Sequence, residues 1–143
     1  MHYLKYRAIL CDQQYGFRPK NQTTHVVQHM MNVITNAATQ EKVTIATYID
    51  LSKAFDCLRY DKLFKKMEYT GFTPHTLSWF KDYITDRQQC VDVDGEQSGW
   101  LDVKLGVPQG SILGPILFLI YVNDINNCNK HADYAKFADD TVR

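Results

Sequence analysis

The stretch from Ile112 to Val122 constrains this chain more than any other. It is apolar on every side and interrupted only by Gly114 and Pro115, and a helix without a polar face must be enclosed by the rest of the protein. Pro115 suits the first turn of such a helix, where a backbone N–H has no intrahelical acceptor, and Ser111 or Gly114 is placed to cap it. The run is too short to span a bilayer, and Met1 to Arg7 lack the apolar core of a signal peptide, so no membrane segment and no secretion are expected. With 143 residues, 45% of them apolar and 13% aromatic, the chain has enough material to wrap this helix in one core. No repeat, low-complexity tract or Pro/Ser-rich linker divides it, so a single unit over residues 1–143 is expected.

Periodicity places further elements around that helix. After a cap at Thr23 or Thr24, Val26, Met30, Val33, Ile34 and Ala37 recur at helical spacing, and Val43 to Ile49 reads as a largely buried strand ending at Asp50. Asp61 to Tyr69 sets Leu63, Phe64 and Met67 on one face and closes at Gly71, while Thr73-Pro74 opens a helix through Trp79, Phe80 and Ile84. Cys90 to Val93 and Trp100 to Lys104 read as a hairpin joined through Asp94-Gly95 and Gly99. Tyr134 to Phe137 forms a strand running into Asp139-Asp140, and the sequence stops at Arg143 just where a return strand would begin, which points to truncation. The expected fold class is α/β, more narrowly α+β, with an antiparallel sheet and packed helices.

Sixteen basic and sixteen acidic residues cancel, so the basic excess typical of nucleic-acid binders is missing. A site that gathers carboxylates would offset phosphate-contacting cations elsewhere, and net charge therefore decides nothing. Lys53, Arg59, Lys62, Lys65 and Lys66 outnumber Asp56 and Asp61 locally, fitting either a nucleic-acid backbone or a solvated helix face. The four cysteines are dispersed without a CxxC pair, which suggests neither a disulfide framework nor a zinc knuckle. A reducing intracellular compartment, cytoplasm or nucleus, is expected. His25 and His29 lie four apart on the first helix but lack a third ligand and read as surface histidines.

The chemistry concentrates in carboxylates at strand ends: Asp50 on one, Asp139 and Asp140 on another. If those strands are neighbours, the three converge and repel unless cations compensate them, and oxygen ligands with open positions suit Mg²⁺. Two such ions about 3.5–4 Å apart activate a 3′-hydroxyl and stabilise a pyrophosphate leaving group. Because strand neighbours point to opposite faces, Asp139 and Asp140 both reach the site only at a turn, with one of them closer to metal. Gly106-Val107-Pro108-Gln109-Gly110-Ser111 adds a loop whose backbone can approach a ligand and whose Gln109 amide both donates and accepts.

Three ordered segments together resemble the reverse-transcriptase family over nearly the whole chain. Thr47-Tyr48-Ile49-Asp50-Leu51-Ser52-Lys53-Ala54-Phe55-Asp56 resembles its first catalytic block, Gly106 to Pro115 (GVPQGSILGP) its second, and Phe137-Ala138-Asp139-Asp140-Thr141 its third. Phe137 stands where the family usually has Tyr. Gln14-Tyr15-Gly16-Phe17-Arg18-Pro19 with Thr23-Thr24-His25 resembles the block before the first catalytic one. The wording around Asp50, the Trp79-Phe80-Lys81 helix and the Gly106 loop looks most like non-long-terminal-repeat retrotransposons.

The resemblance implies a polymerase palm over residues 43–143, incomplete at its C-terminus, preceded by a fingers-proximal segment over 1–42. It further implies that Asp50 and Asp139 bind two Mg²⁺ ions, with Mn²⁺ able to substitute, that the Leu51 carbonyl helps hold the nucleotide's metal, and that Asp140 is the supporting carboxylate. Phe55 would be the aromatic gate against a ribose 2′-hydroxyl, with Gln109 and Gly110 positioning nucleotide and template. Arg18 would contact phosphate or buttress the fingers. The implied partners are an RNA template, a DNA primer and deoxynucleoside triphosphates. A fingers block that grips the triphosphate is not found, and a primer grip and thumb do not fit after Arg143, so the segment alone is expected to have little activity. The rivals are an RNA-dependent RNA polymerase palm, which an aromatic at Phe55 disfavours, and a catalytically silent remnant that at most binds nucleic acid.

Overall fold

The computed structural model describes residues 9–129 and 132–143, so the reading of Met1 to Arg7 lies outside the described residues. Helix α1 spans Thr23–Thr39. Its N-cap is Gln22 and not a threonine: the Gln22 backbone N–H donates to His25 Nδ1 at 3.0 Å, so a side chain one turn on satisfies the entry. Val26, Met30, Val33 and Ala37 share one half-buried side that packs on the sheet, but no residue of α1 is fully buried.

The expected strand from Val43 shrinks to β1, Tyr48–Ile49, and Val43 and Ile45 are exposed rather than buried. Thr47 exchanges backbone hydrogen bonds with Arg143 at 2.8 and 3.0 Å, and there the ladder ends. Residues 43–46 carry no ladder hydrogen bonds here and lie outside the sheet. They line an open groove of about 550 Å³ with Met30, Val33 and Ile34 of α1.

Helix α2 (Tyr60–Tyr69) and helix α3 (Pro74–Ile84) follow as the spacing indicates, with Thr73 Oγ1 accepting from the Thr76 N–H to cap α3. The hairpin divides in two. Strand β2 (Arg87–Gln89), starting three residues before the expected Cys90, pairs with β5 (Leu101–Val103), while β3 (Asp92–Val93) and β4 (Glu96–Gln97) close around Asp94-Gly95. Both Asp94 and Gly95 have positive φ, the backbone a two-residue hairpin turn of this hand demands.

Helix α4 (Leu113–Val122) is the central helix; its N-cap is Ile112, neither Ser111 nor Gly114, and Ser111 just before it answers a first-turn donor, its Oγ accepting from the Gly114 N–H at 2.9 Å. Leu117 to Ile120 are buried together with Leu58, Leu63, Met67 and Ile84, forming a core between α2, α3 and α4. Each such side chain contributes about 1.5–3 kcal/mol on leaving water. A 3₁₀ turn (Asn123–Cys128) then leads to β6 (Ala135–Phe137) and β7 (Asp140–Val142). The return strand is thus present, and β7 is the middle of a three-stranded antiparallel sheet ordered β1-β7-β6. Among the described residues no helix is long and apolar enough to cross a membrane.

Candidate active site at the strand ends

Asp50 and the Asp139-Asp140 pair meet through strand register. Tyr48 pairs with Val142 and Ile49 with Thr141, so one further step sets Asp50 beside Asp140. Phe137 pairs with Asp140, which leaves Ala138 and Asp139 as the two turn residues between β6 and β7. On β7 the side chains alternate: Thr141 is buried, while Asp140 is exposed at the open end of the sheet with Asp50. Asp139 is half-buried in the turn, where alternation no longer applies.

The donors are all carboxylate oxygens on an open edge, the chemistry that suits a divalent cation sharing its shell with water and substrate phosphates. Among the described residues no group of three His, Cys, Asp or Glu stands placed to hold a metal. By donor type and register the site fits a divalent ion, and cation charge would be needed to gather the three.

The first and second blocks are joined directly. Past Asp50 the chain turns through Lys53, whose carbonyl accepts from the Asp56 and Cys57 N–H groups, and Leu51 packs at the margin of the core. Phe55 lies against Phe118 of α4 with ring centroids 4.5 Å apart and meets Phe17 edge-on at 6.3 Å. Its carbonyl accepts from the Val107 N–H at 3.0 Å, and the Leu58 carbonyl accepts from the Gly106 N–H at 2.8 Å. Gly106 has φ +78°, and a Cβ there would stand 2.7 Å from the Asp56 Cα and carbonyl oxygen. Gln109 Nε2 donates to Asp56 Oδ1 at 2.9 Å, leaving its amide oxygen as a further acceptor on the exposed side.

Sequence reasoning assigned nothing to Arg87, yet it braces the Gly106 loop. Its guanidinium donates to the Ile84 and Gly106 carbonyls and to the Tyr60 hydroxyl, each at 2.9 Å. Nothing in charge or periodicity marks that role, because the three acceptors come from separate elements. Arg18 Nη1 donates to the Cys11 and Gln14 carbonyls at 2.9 and 3.1 Å, the geometry of a loop brace. The preceding segment joins the sheet: Tyr15 N–H donates to the Lys136 carbonyl and Lys136 N–H to the Gln13 carbonyl, both at 2.8 Å, along the free edge of β6.

Comparison with known proteins shows the family. The reverse transcriptase (RNA-dependent DNA polymerase) family pattern matches residues 2–142. The chain belongs to the reverse transcriptase family. It is 34% identical over 119 residues to a probable RNA-directed DNA polymerase from transposon BS of Drosophila melanogaster, covering 83% of this chain and 13% of that protein. It is 30% identical over 112 residues to the RNA-directed DNA polymerase from mobile element jockey of the same fly, covering 78% of this chain and 12% of that one. Against the Pol polyprotein from type-1 retrotransposable element R2 of Popillia japonica the identity is 27% over 77 residues, or 54% of this chain and 13% of the relative. The reverse transcriptase chain thus spans about an eighth of the length of these relatives. Reverse transcriptases generally use divalent metals, in keeping with the carboxylate edge.

Proposed function

We propose that this reverse transcriptase segment is the palm-centred part of a non-long-terminal-repeat retrotransposon polymerase. It would add deoxynucleotides to a primer 3′-hydroxyl on an RNA template and release pyrophosphate. The carrying observation is the β1-β7 register, which brings Asp50 beside Asp140 and the Asp139 turn across most of the sequence. In this reading residues 43–143 belong to the palm and 1–42 lie toward the fingers.

Asp50 and Asp139, with the Leu51 carbonyl, would hold two Mg²⁺ ions, and Asp140 would support them from the next register position. When bound, the ions supply positive charge for the triphosphate and activate the primer hydroxyl. Phe55, fixed from behind by Phe118, closes the space beside the sugar and excludes a 2′-hydroxyl. Gln109, tethered to Asp56, and Gly110, whose surroundings are open, present amide and backbone to the template and nucleotide. Arg18, while bracing Gln14, has further N–H donors for a phosphate.

The test is primer extension on an RNA template with Mg²⁺ and deoxynucleotides, using this segment within its full-length protein, with Asp50→Asn beside it. Extension abolished in Asp50→Asn supports the site; retained extension removes Asp50 from it. Failure of the unaltered protein, with fold verified and Mn²⁺ also tried, would favour the second reading, a silent remnant.

A further inference from the structure

We propose that Gln14 is a positioning residue of the polymerase site, acting through the Ala138-Asp139 turn. The inference rests on the reading of Asp139 as a metal-binding carboxylate. Ala138 has φ +58°, at the first of two hairpin-turn residues, a position glycine ordinarily takes. Alanine has neither the freedom of glycine nor the local hydrogen bonding of asparagine to settle there, so the conformation must be held from outside.

Gln14 supplies that hold from a segment 124 residues away. Its Oε1 accepts from the Ala138 N–H at 3.1 Å and its Nε2 donates to the Ala138 carbonyl at 3.3 Å, so one amide grips both backbone groups of the left-handed residue. Oε1 also accepts from the Gly16 N–H at 2.8 Å. The side chain is 2% exposed, and a buried amide engaged at both ends contributes direction, where an apolar side chain would contribute only volume. Gly16 completes the clamp. A Cβ on it would stand 2.1 Å from the Ala138 nitrogen, so its backbone lies flat against the turn. Gln14 itself is anchored, its carbonyl by Arg18 and its neighbours by the bridge to Lys136. The residue after the gripped one is Asp139, and the direction of its carboxylate follows from the backbone Gln14 holds.

The experiment uses the full-length polymerase with three variants: Gln14→Met, which keeps length and volume without the hydrogen bonds; Gln14→Met with Ala138→Gly; and Asp139→Asn as reference. Gln14→Met is expected to bind primer-template as the unaltered protein does, to lose about 10- to 100-fold in kcat, since misplacement of about 1 Å costs about that much, and to need more divalent metal for half-maximal activity. Ala138→Gly should restore part of the loss, because glycine adopts positive φ without a clamp. An unchanged kcat and metal requirement in folded Gln14→Met would overturn the proposal, as would a loss that Ala138→Gly does not relieve. Should Gln14→Met not fold, hydrogen exchange of the unaltered protein decides: a slowly exchanging Ala138 amide supports the clamp, and one exchanging like exposed loop amides refutes it. If Asp139→Asn retains full synthesis, the reading of Asp139 has failed, and the exchange result still reports separately on the clamp.

Discussion

Gly106 and Gly110 share a φ of +78° but differ in what surrounds them, and that difference sets a sharp expectation for Gly106→Ala against Gly110→Ala. An L-residue in the left-handed region costs about 1–2 kcal/mol at either position. At Gly110 nothing lies within 4 Å of the new Cβ, so that cost is the whole effect. At Gly106 the Cβ meets Asp56 and Phe55 backbone atoms at 2.7–2.8 Å, and backbone cannot swing aside as a flexible side chain does. The loop must retreat, loosening the Gly106-Leu58 and Val107-Phe55 backbone bonds and the Arg87 contact to the Gly106 carbonyl. At about 1 kcal/mol per bond, Gly106→Ala should cost roughly 3–5 kcal/mol, a large part of a domain's typical stability. Denaturant midpoints of the two variants measure this directly, and RNA-templated extension in the full-length protein measures the consequence. Gly110→Ala should keep most of its stability while losing extension, because its Cβ intrudes on the open side of the loop. Equal destabilisation of the two variants would refute the close-approach argument.

Phe55→Val should raise ribonucleotide incorporation relative to deoxynucleotides, at a stability cost of about 1–3 kcal/mol for the lost packing on Phe118; unchanged sugar selectivity would leave Phe55 a core residue only. Arg87→Met should destabilise by about 2–4 kcal/mol through three unanswered acceptors and shift the Gly106 loop, seen as faster exchange of the Gly106 and Val107 amides. Hydrogen bonding from the Arg59 guanidinium holds the Asp61 carboxyl below the usual carboxylate range. A depressed carboxylate contributes above its unfolded value and loses that contribution as pH falls through the folded one. An NMR titration of Asp61 should therefore move upward in Arg59→Gln, with little change in melting because the pair is fully exposed.

What the sequence determined by itself was whatever depends on local composition and spacing. The all-round apolar run had to be a buried central helix, and Leu63 and Met67, one turn apart, had to share the inward face of theirs, because periodicity of that kind has one low-energy outcome. Asp94-Gly95 had to turn, and Asp50, Asp139 and Asp140 carried the family resemblance without a coordinate. Tertiary structure decided what depends on a partner distant in the chain. Asp50 and Asp140 lie ninety residues apart in the chain and become neighbours only through the antiparallel register of β1 on β7, in which Ile49 pairs with Thr141. Gln22, not a threonine, caps α1 because His25 turns back to it. Arg87 reads as an ordinary polar residue in sequence, and Gln14 only as one member of a family-like block with no role of its own. Their importance lies in directional hydrogen bonds to Ala138 and Gly106, which exist only once the chain has brought those backbones within about 3 Å.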